Sequence, residues 1–193
     1  LHGLTPRDIW RRGVGRTFQI TATYPSMTVV ENVQMALMSY HRRLFKVFCY
    51  AHKQYRPQAM ELLALVGMEN QADRHCAILA YGDLKRLELA IALSNAPKLL
   101  LMDEPTAGMA PKERIKLTGE IVKQRQISVL FTEHDMDVVF AHAHKIMVLN
   151  RGQLIASGSV EQIRNDAKVQ EVYLGGGSLY AIEEQTHAWI KYD

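Results

Sequence analysis

At 193 residues, with 48% hydrophobic and 22% charged side chains, the chain has the composition of an ordinary globular protein, long enough for a real core. A net charge of +3 and a pI near 8.9 permit an anionic ligand, a membrane surface or an acidic partner and select none of them. Two distant cysteines, Cys49 and Cys76, stand in no metal spacing, and no apolar run reaches bilayer length, so a reducing compartment and at most a peripheral membrane role are expected. No signal peptide opens the chain; it starts at Leu1 without a methionine and reads as a fragment.

Residues 1–20 are turn-rich, with Gly3, Pro6, Gly13 and Gly15, and "GRTFQI" reads as a brief strand. From Thr28 the spacing turns helical: Thr28 and Glu31 form a capping box, and Val29, Val33, Ala36, Leu37 and Tyr40 recur on one face. The basic and aromatic stretch "YHRRLFKVFCYAHKQYRP" follows, read as a solvated linker between helices in the absence of any nucleic-acid-binding motif. A second helix is predicted from about Pro57 to Val66, stopped by a left-handed cap at Gly67. A third begins near Asp83, with Leu84, Leu87, Ile91 and Ser94 on one stripe and Pro97 beyond it.

The pattern then changes to short apolar runs, "KLLLMD", "ISVLFT" and "KIMVLN", separated by helical stretches, as expected of parallel strands buried on both faces. "NRGQLIASG" reads as a hairpin around Arg151 and Gly152, and Ser159 with Gln162 caps a last helix. His142 and His144, two apart, make a poor metal pair on a helix. The expected architecture is α/β, with a helical subdomain (about 24–96) inserted into a core (about 1–23 and 97–177), then a tail over 178–193.

Ligands of parallel α/β sheets sit at the carboxyl ends of strands, and two predicted strands end in polar groups. One runs into Asp103 and Glu104, the other into Glu133, His134 and Asp135. Adjacent like charges at a buried strand end repel, so a cation is expected beside them. Strand alternation sends the two carboxylates to different sides, giving one the job of holding magnesium and the other that of orienting a water. His134 would then hydrogen-bond a phosphate oxygen. Plainer readings compete: Asp103 as the cap of the following turn, and His134 as the start of a helix.

In order, these segments resemble the ATP-binding cassette (ABC) transporter ATPases, from about Gly3 to Gly177. "GRTFQ" looks like the Q-loop, "LAYGD" stands where the signature LSGGQ stands, "LLLMDEP" resembles the Walker B strand, "PTAGM" the D-loop and "FTEHD" the switch region. The resemblance implies an ABC-type P-loop NTPase core with a RecA-like parallel sheet, working with ATP and Mg2+. It implies Glu104 as catalytic base, Asp103 and Gln19 at the metal, Gln19 also sensing the attacking water, and His134 as switch histidine. It also implies that Leu79, Ala80, Tyr81, Gly82 and Asp83 meet nucleotide bound by a second ATPase subunit. "LAYG", "GVGRTFQI" and "DEPTAGM" resemble the ATPase subunits of branched-chain amino acid importers. The implied partners are transmembrane permease subunits, touched by residues of roughly 20–32, and indirectly a substrate-binding protein, with no nucleic acid. The implied place is the cytoplasmic face of the membrane. Urea or amide uptake and lipopolysaccharide export are the neighbouring alternatives, and a non-catalytic permease-docking module is the rival from another class. A soluble cassette acting on DNA or ribosomes would need tandem cassettes or a long coiled-coil insertion.

Two departures carry expectations of their own. None of the twelve glycines precedes a lysine, so the Walker A pattern G-x-x-x-x-G-K-[ST] is absent from this sequence. The expected reason is N-terminal truncation, and these residues alone are expected to bind ATP poorly, since that motif's N–H groups and lysine supply much of the phosphate grip. In the signature, Ala80 and Tyr81 replace serine and glycine, and Asp83 replaces glutamine. Asp83 is expected to cap its own helix and point away from nucleotide, with Lys85 and Arg86 offsetting its charge.

Overall fold

A computed structural model describes residues 2–17, 23–42, 55–104 and 119–174. The chain divides into two compact units, residues 1–101 with 117–127, and residues 102–116 with 128–193.

The first unit opens with a short helix the composition hid, α1 (Pro6–Arg11), where Thr5 Oγ1 accepts from the Asp8 N–H and Pro6 supplies the fixed φ of a first turn. Strand β1 (Val14–Arg16) pairs in parallel with the start of β2 (Leu99–Asp103), Val14 opposite Leu99 and Arg16 opposite Leu101. Gly15 makes this pairing possible against the helix behind it, because a Cβ there would lie 2.6 Å from the Ala92 carbonyl oxygen. The buried Asn95 fastens α1 to β1, its Nδ2 donating to the carbonyls of Trp10 (2.6 Å) and Val14 (3.2 Å).

Three longer helices follow α1 in this unit, and residues 119–125 are helical as well. α2 (Val29–Tyr40) starts on the expected box: Glu31 N–H donates to Thr28 Oγ1, and Glu31 Oε2 accepts from the Thr28 N–H at 2.8 Å. α3 (Arg56–Leu65) ends before Gly67, which takes a φ of +68° as its cap requires. α4 (Tyr81–Leu93) starts two residues before Asp83. Val29, Val33, Leu62, Leu63, Leu87 and Ala90 are buried where these helices contribute to the core. Truncating one such leucine to alanine costs about 2–5 kcal/mol. The expected stripe on α4 is only part of its buried face: Leu87 and Ser94 are buried, but so are Lys85, Glu88, Leu89, Ala90, Ala92 and Leu93, because α2, α3 and β1 all pack on it.

The segment entering α2 is zipped to the one that precedes α4. Val29 N–H donates to Arg74 O, Val30 N–H to Ala72 O, Cys76 N–H to Met27 O and Ala77 N–H to Pro25 O. Asn32, 2% exposed, sits at this seam, accepting from the Tyr24 N–H and donating through Nδ2 to Tyr24 O, Thr28 O and Cys76 Sγ. Burial pushes the Cys76 thiol above its ordinary pKa, against the smaller opposing effect of Asn32.

In the second unit the end of β2 adjoins β3 (Ser128–Thr132), and α5 (Met136–His142) follows. β4 (Ile146–Asn150) was expected as another parallel strand; its pairing is antiparallel, with β5 (Gln153–Gly158), because Arg151 (φ +49°) and Gly152 (φ +75°) close a tight hairpin. Ser159 and Gln162 box the start of α6 (Val160–Arg164), and Asp166 caps the one-turn α7 (Ala167–Val169) before a π-turn over Gln170–Leu174. His142 closes α5 while His144 lies past its end, and burial holds the His142 imidazole below its ordinary pKa. No helix of the described residues is long and apolar enough to cross a membrane.

Candidate functional site

The carboxyl edge of β2 and β3 lies wholly in the second unit and gathers three of the expected site residues. Asp103 is the last residue of β2, half-buried. Its Oδ1 accepts a short 2.6 Å hydrogen bond from Thr132 Oγ1, leaving Oδ2 directed to no partner among the described residues. Asp103 therefore bonds across to β3, and the turn it was read as capping lies outside the described residues.

Glu104 does not continue the strand. Its φ of +44° lies in the left-handed region, rare for a side chain of this kind and costing about 1–2 kcal/mol. The alternation argument for the two carboxylates thus fails at this residue: the backbone turns, and that turn aims Glu104. Two bonds hold it there, from the Glu104 N–H to Thr132 O at 3.1 Å and to Thr132 Oγ1 at 3.3 Å. Strain of this kind, kept in place by neighbours, gathers at working sites.

His134 stands across from Glu104, its Nδ1 4.0 Å from Glu104 Oε1, beyond hydrogen-bond length, with the imidazole 64% exposed. It does not begin α5. Asp135 is the cap, its Oδ1 accepting from the N–H groups of Asp137 (3.0 Å) and Val138 (3.3 Å), so His134 is left outside the helix. Glu133, 1% exposed, takes the His134 N–H on Oε2 at 3.3 Å. Sequence reasoning gave no role to Thr132 or Glu133. The available signal for Thr132 was a hydroxyl at the last position of β3, level with the carboxylate that ends β2.

The second cluster belongs to the first unit. Leu79 and Ala80 are extended, following a 3-10 turn over Cys76–Ile78, and Ala80 is the N-cap of α4 with no side-chain cap bond. Asp83, expected as the cap, is instead the third helical residue. The reason is local: Ala80 already has the extended φ and ψ of a cap, and its carbonyl accepts the first intrahelical bond, from the Leu84 N–H. The amino end of this 13-residue helix thus presents N–H groups without a capping oxygen, beside an exposed Tyr81 and half-buried Gly82. Lys85 does not offset Asp83 there. Its Nζ is buried, 3.1 Å from Glu88 Oε2 and 5.7 Å from the centroid of the Tyr81 ring.

Gln19, residues 105–109 and most of the basic-aromatic stretch (43–54) lie outside the described residues, as does the tail.

Comparison with known proteins decides the family. Residues 2–107 match the "ABC transporter" family model, over half of the chain. The chain belongs to the ABC transporter family. Residues 153–178 also match the family "Branched-chain amino acid ATP-binding cassette transporter". The high-affinity branched-chain amino acid transport ATP-binding protein LivG of Escherichia coli is 36% identical over 188 residues, covering 91% of this chain and 72% of that protein. BraF of Pseudomonas aeruginosa, with the same description, is 38% identical over the same shares. Among solved structures, a nucleotide-free ATP-binding cassette from an ABC transporter superposes with a TM-score of 0.70 at 27% identity, covering 88% of this chain and 72% of that one. The ADP conformation of an ATP-binding cassette gives 0.70 at 27%, covering 89% and 72%. The α/β P-loop NTPase fold expected from the sequence is the fold of this family.

Proposed function

We propose that this ABC cassette is the ATP-hydrolysing subunit of an importer for branched-chain or other hydrophobic amino acids, seated peripherally on the cytoplasmic face of the membrane against its permease. The observation that carries the reading is the edge at Asp103 and Glu104: one carboxylate tied to β3 through a single oxygen, the next turned by a strained backbone and standing across from an exposed histidine. The relatives' names supply the cargo class.

The edge fits a hard cation. Asp103 Oδ2 is a carboxylate oxygen at the end of a strand, the donor type magnesium prefers, and Gln19 would add an amide oxygen. Bound there, Mg2+ neutralises charge on the phosphates of ATP. Glu104 orients a water and takes its proton as the oxygen attacks the γ-phosphorus, while the bond to the bridging oxygen breaks and ADP leaves with that electron pair. His134, exposed and outside its helix, donates a hydrogen bond to a phosphate oxygen. Leu79, Ala80, Tyr81, Gly82 and Asp83 form the surface offered to nucleotide held by a second ATPase subunit, with uncapped N–H groups as its anion-binding element. Of the residues expected at the permease, Val29, Val30 and Asn32 are buried, which leaves Tyr24, Pro25 and Ser26 as the exposed contact. A substrate-binding protein delivers the amino acid to the permease.

The test is made on the encoded gene product, assembled with its permease in vesicles. Glu104→Gln should keep ATP binding while turnover and leucine uptake fall by about 10²–10⁴-fold. Asp103→Asn should instead raise the magnesium needed for half-maximal rate. Hydrolysis near wild type in both variants would leave the chain a docking module without catalysis.

A further inference from the structure

We infer that Thr132 is the positioning residue for both carboxylates of this edge, its one hydroxyl fixing the Asp103 side chain and the Glu104 backbone together. The inference rests on the reading of Asp103 as magnesium ligand and Glu104 as base, and adds a residue that touches neither water nor nucleotide.

A threonine hydroxyl has one proton and two lone pairs. Here the proton goes to Asp103 Oδ1 at 2.6 Å, the short length of a bond to an ionised oxygen. A lone pair receives the Glu104 N–H at 3.3 Å, and the Thr132 carbonyl receives the same N–H at 3.1 Å. Thr132 is 8% exposed, so water competes poorly for these bonds. Three consequences follow. With Oδ1 occupied, the other oxygen of Asp103, Oδ2, is the one left to meet a cation. With its N–H bound twice, Glu104 is kept at φ +44°, a conformation it would otherwise leave. And because one atom serves both, the metal-side oxygen and the base are set in register with each other. A threonine in a buried strand that merely satisfied itself would bond a neighbouring backbone carbonyl; this one spans two strands to a carboxylate.

Thr132→Val keeps the shape and deletes the hydroxyl, while Thr132→Ser keeps the hydroxyl and deletes the methyl. In the assembled transporter, Thr132→Val should lower kcat about 10–100-fold, the range for groups that orient metal ligands, with KM for ATP changed by less than about threefold. The same protein, titrated with Mn2+ by electron paramagnetic resonance in the presence of a non-hydrolysable ATP analogue, should bind the ion at least about tenfold more weakly. Thr132→Ser should restore both to within about threefold. Where Thr132→Val fails to fold, Thr132→Ala against Thr132→Ser gives the same contrast. The inference is overturned if Thr132→Val melts earlier yet keeps kcat and Mn2+ affinity per folded molecule, or if serine fails to rescue, which would assign the effect to packing. Glu104→Gln serves as the control on the underlying reading: should that variant still turn over, Glu104 is not the base, and the Mn2+ titration alone decides the clamp on Asp103.

Discussion

The amino ends of α2 and α4 are built from the same unit and nearly the same length of helix, yet they are finished in opposite ways. α2 is closed: Thr28 caps the Glu31 N–H, and Glu31 reaches back to the Thr28 N–H at 2.8 Å. α4 carries an acid at the same third position, Asp83, but its cap is Ala80 and no side chain bonds the open N–H groups. A helix end holds about half a positive charge and several unsatisfied donors, which a protein ordinarily covers with its own oxygens. Leaving them bare at α4 costs stability that α2 does not forgo. Under the proposed function, nucleotide held by a second subunit would complete α4, where the chain itself completes α2.

The largest effect should come from putting a carboxylate where that ligand belongs. Gly82→Asp places an anion in the first turn of α4, favourable to the helix by about 0.3–1 kcal/mol, so the melting temperature should hold or rise. ATP-driven association of two subunits should nonetheless weaken at least tenfold, or ~1.4 kcal/mol, by repulsion of phosphate. Light scattering or sedimentation with the Glu104→Gln background would measure it. Stability and association moving together would mean that the bare end is only an imperfect cap, and the contrast with α2 would dissolve.

Next in size is the exchange of caps. Thr28→Ala should destabilise the first unit by about 1 kcal/mol, in a range of 0.5–2, and Ala80→Ser should return part of that amount at α4. Thermal melts of both single variants check the pair. A loss at Ala80→Ser would indicate that the extended backbone there does not bring a hydroxyl to the N–H groups.

This asymmetry also marks what the sequence made legible. Side-chain chemistry announces itself: Thr28 and Glu31 three apart, Asp103 beside Glu104 after four apolar residues, Ser159 with Gln162. Each is a residue type whose job needs that type. Backbone chemistry does not. Ala80 and Tyr81 name no function, and only the folded backbone makes Ala80 a cap and moves Asp83 off that position. The turn at Glu104 was invisible for a related reason, since a left-handed glutamate is chosen by the bonds its N–H donates to Thr132, 28 residues away in the chain. Likewise β4 looked like its parallel neighbours because an apolar run has no direction; the Arg151–Gly152 turn decides its partner. Lys85 read as a charge offsetting Asp83, but it is buried on a helix against which two helices and a strand pack.

Asp83→Gln gives a smaller, sharper comparison. Asp83 makes no bond back to its cap as Glu31 does, and acts on the helix through its charge. The substitution should lower stability by about 0.3–1 kcal/mol and leave the KM for ATP nearly unchanged. A tenfold tightening of ATP-driven association, ~1.4 kcal/mol, would show that the carboxylate faces the phosphate instead.

The smallest effect separates the two ends by pH. Bonds from the Thr28 N–H and hydroxyl hold the Glu31 carboxyl below its ordinary pKa, with burial opposing them weakly. Since the folded pKa is the lower one, the unfolded chain binds more protons in the interval between the two, and acid favours unfolding there. The contribution of Glu31 is therefore complete above the unfolded value, about 4.3, and is lost as the pH falls through the folded value. Glu31→Gln keeps an amide oxygen to accept from Thr28 but carries no charge and does not titrate. At pH 7 it should melt slightly earlier than wild type, by an amount worth about 0.3–1 kcal/mol. The two curves should converge as the pH drops below about 4, because protonated glutamate has then lost the same advantage. Melting curves from pH 7 to pH 3.5 at low salt would show the convergence. A gap that stays constant to the lowest pH would place the stabilisation in the geometry of the box and not in the charge at the end of α2.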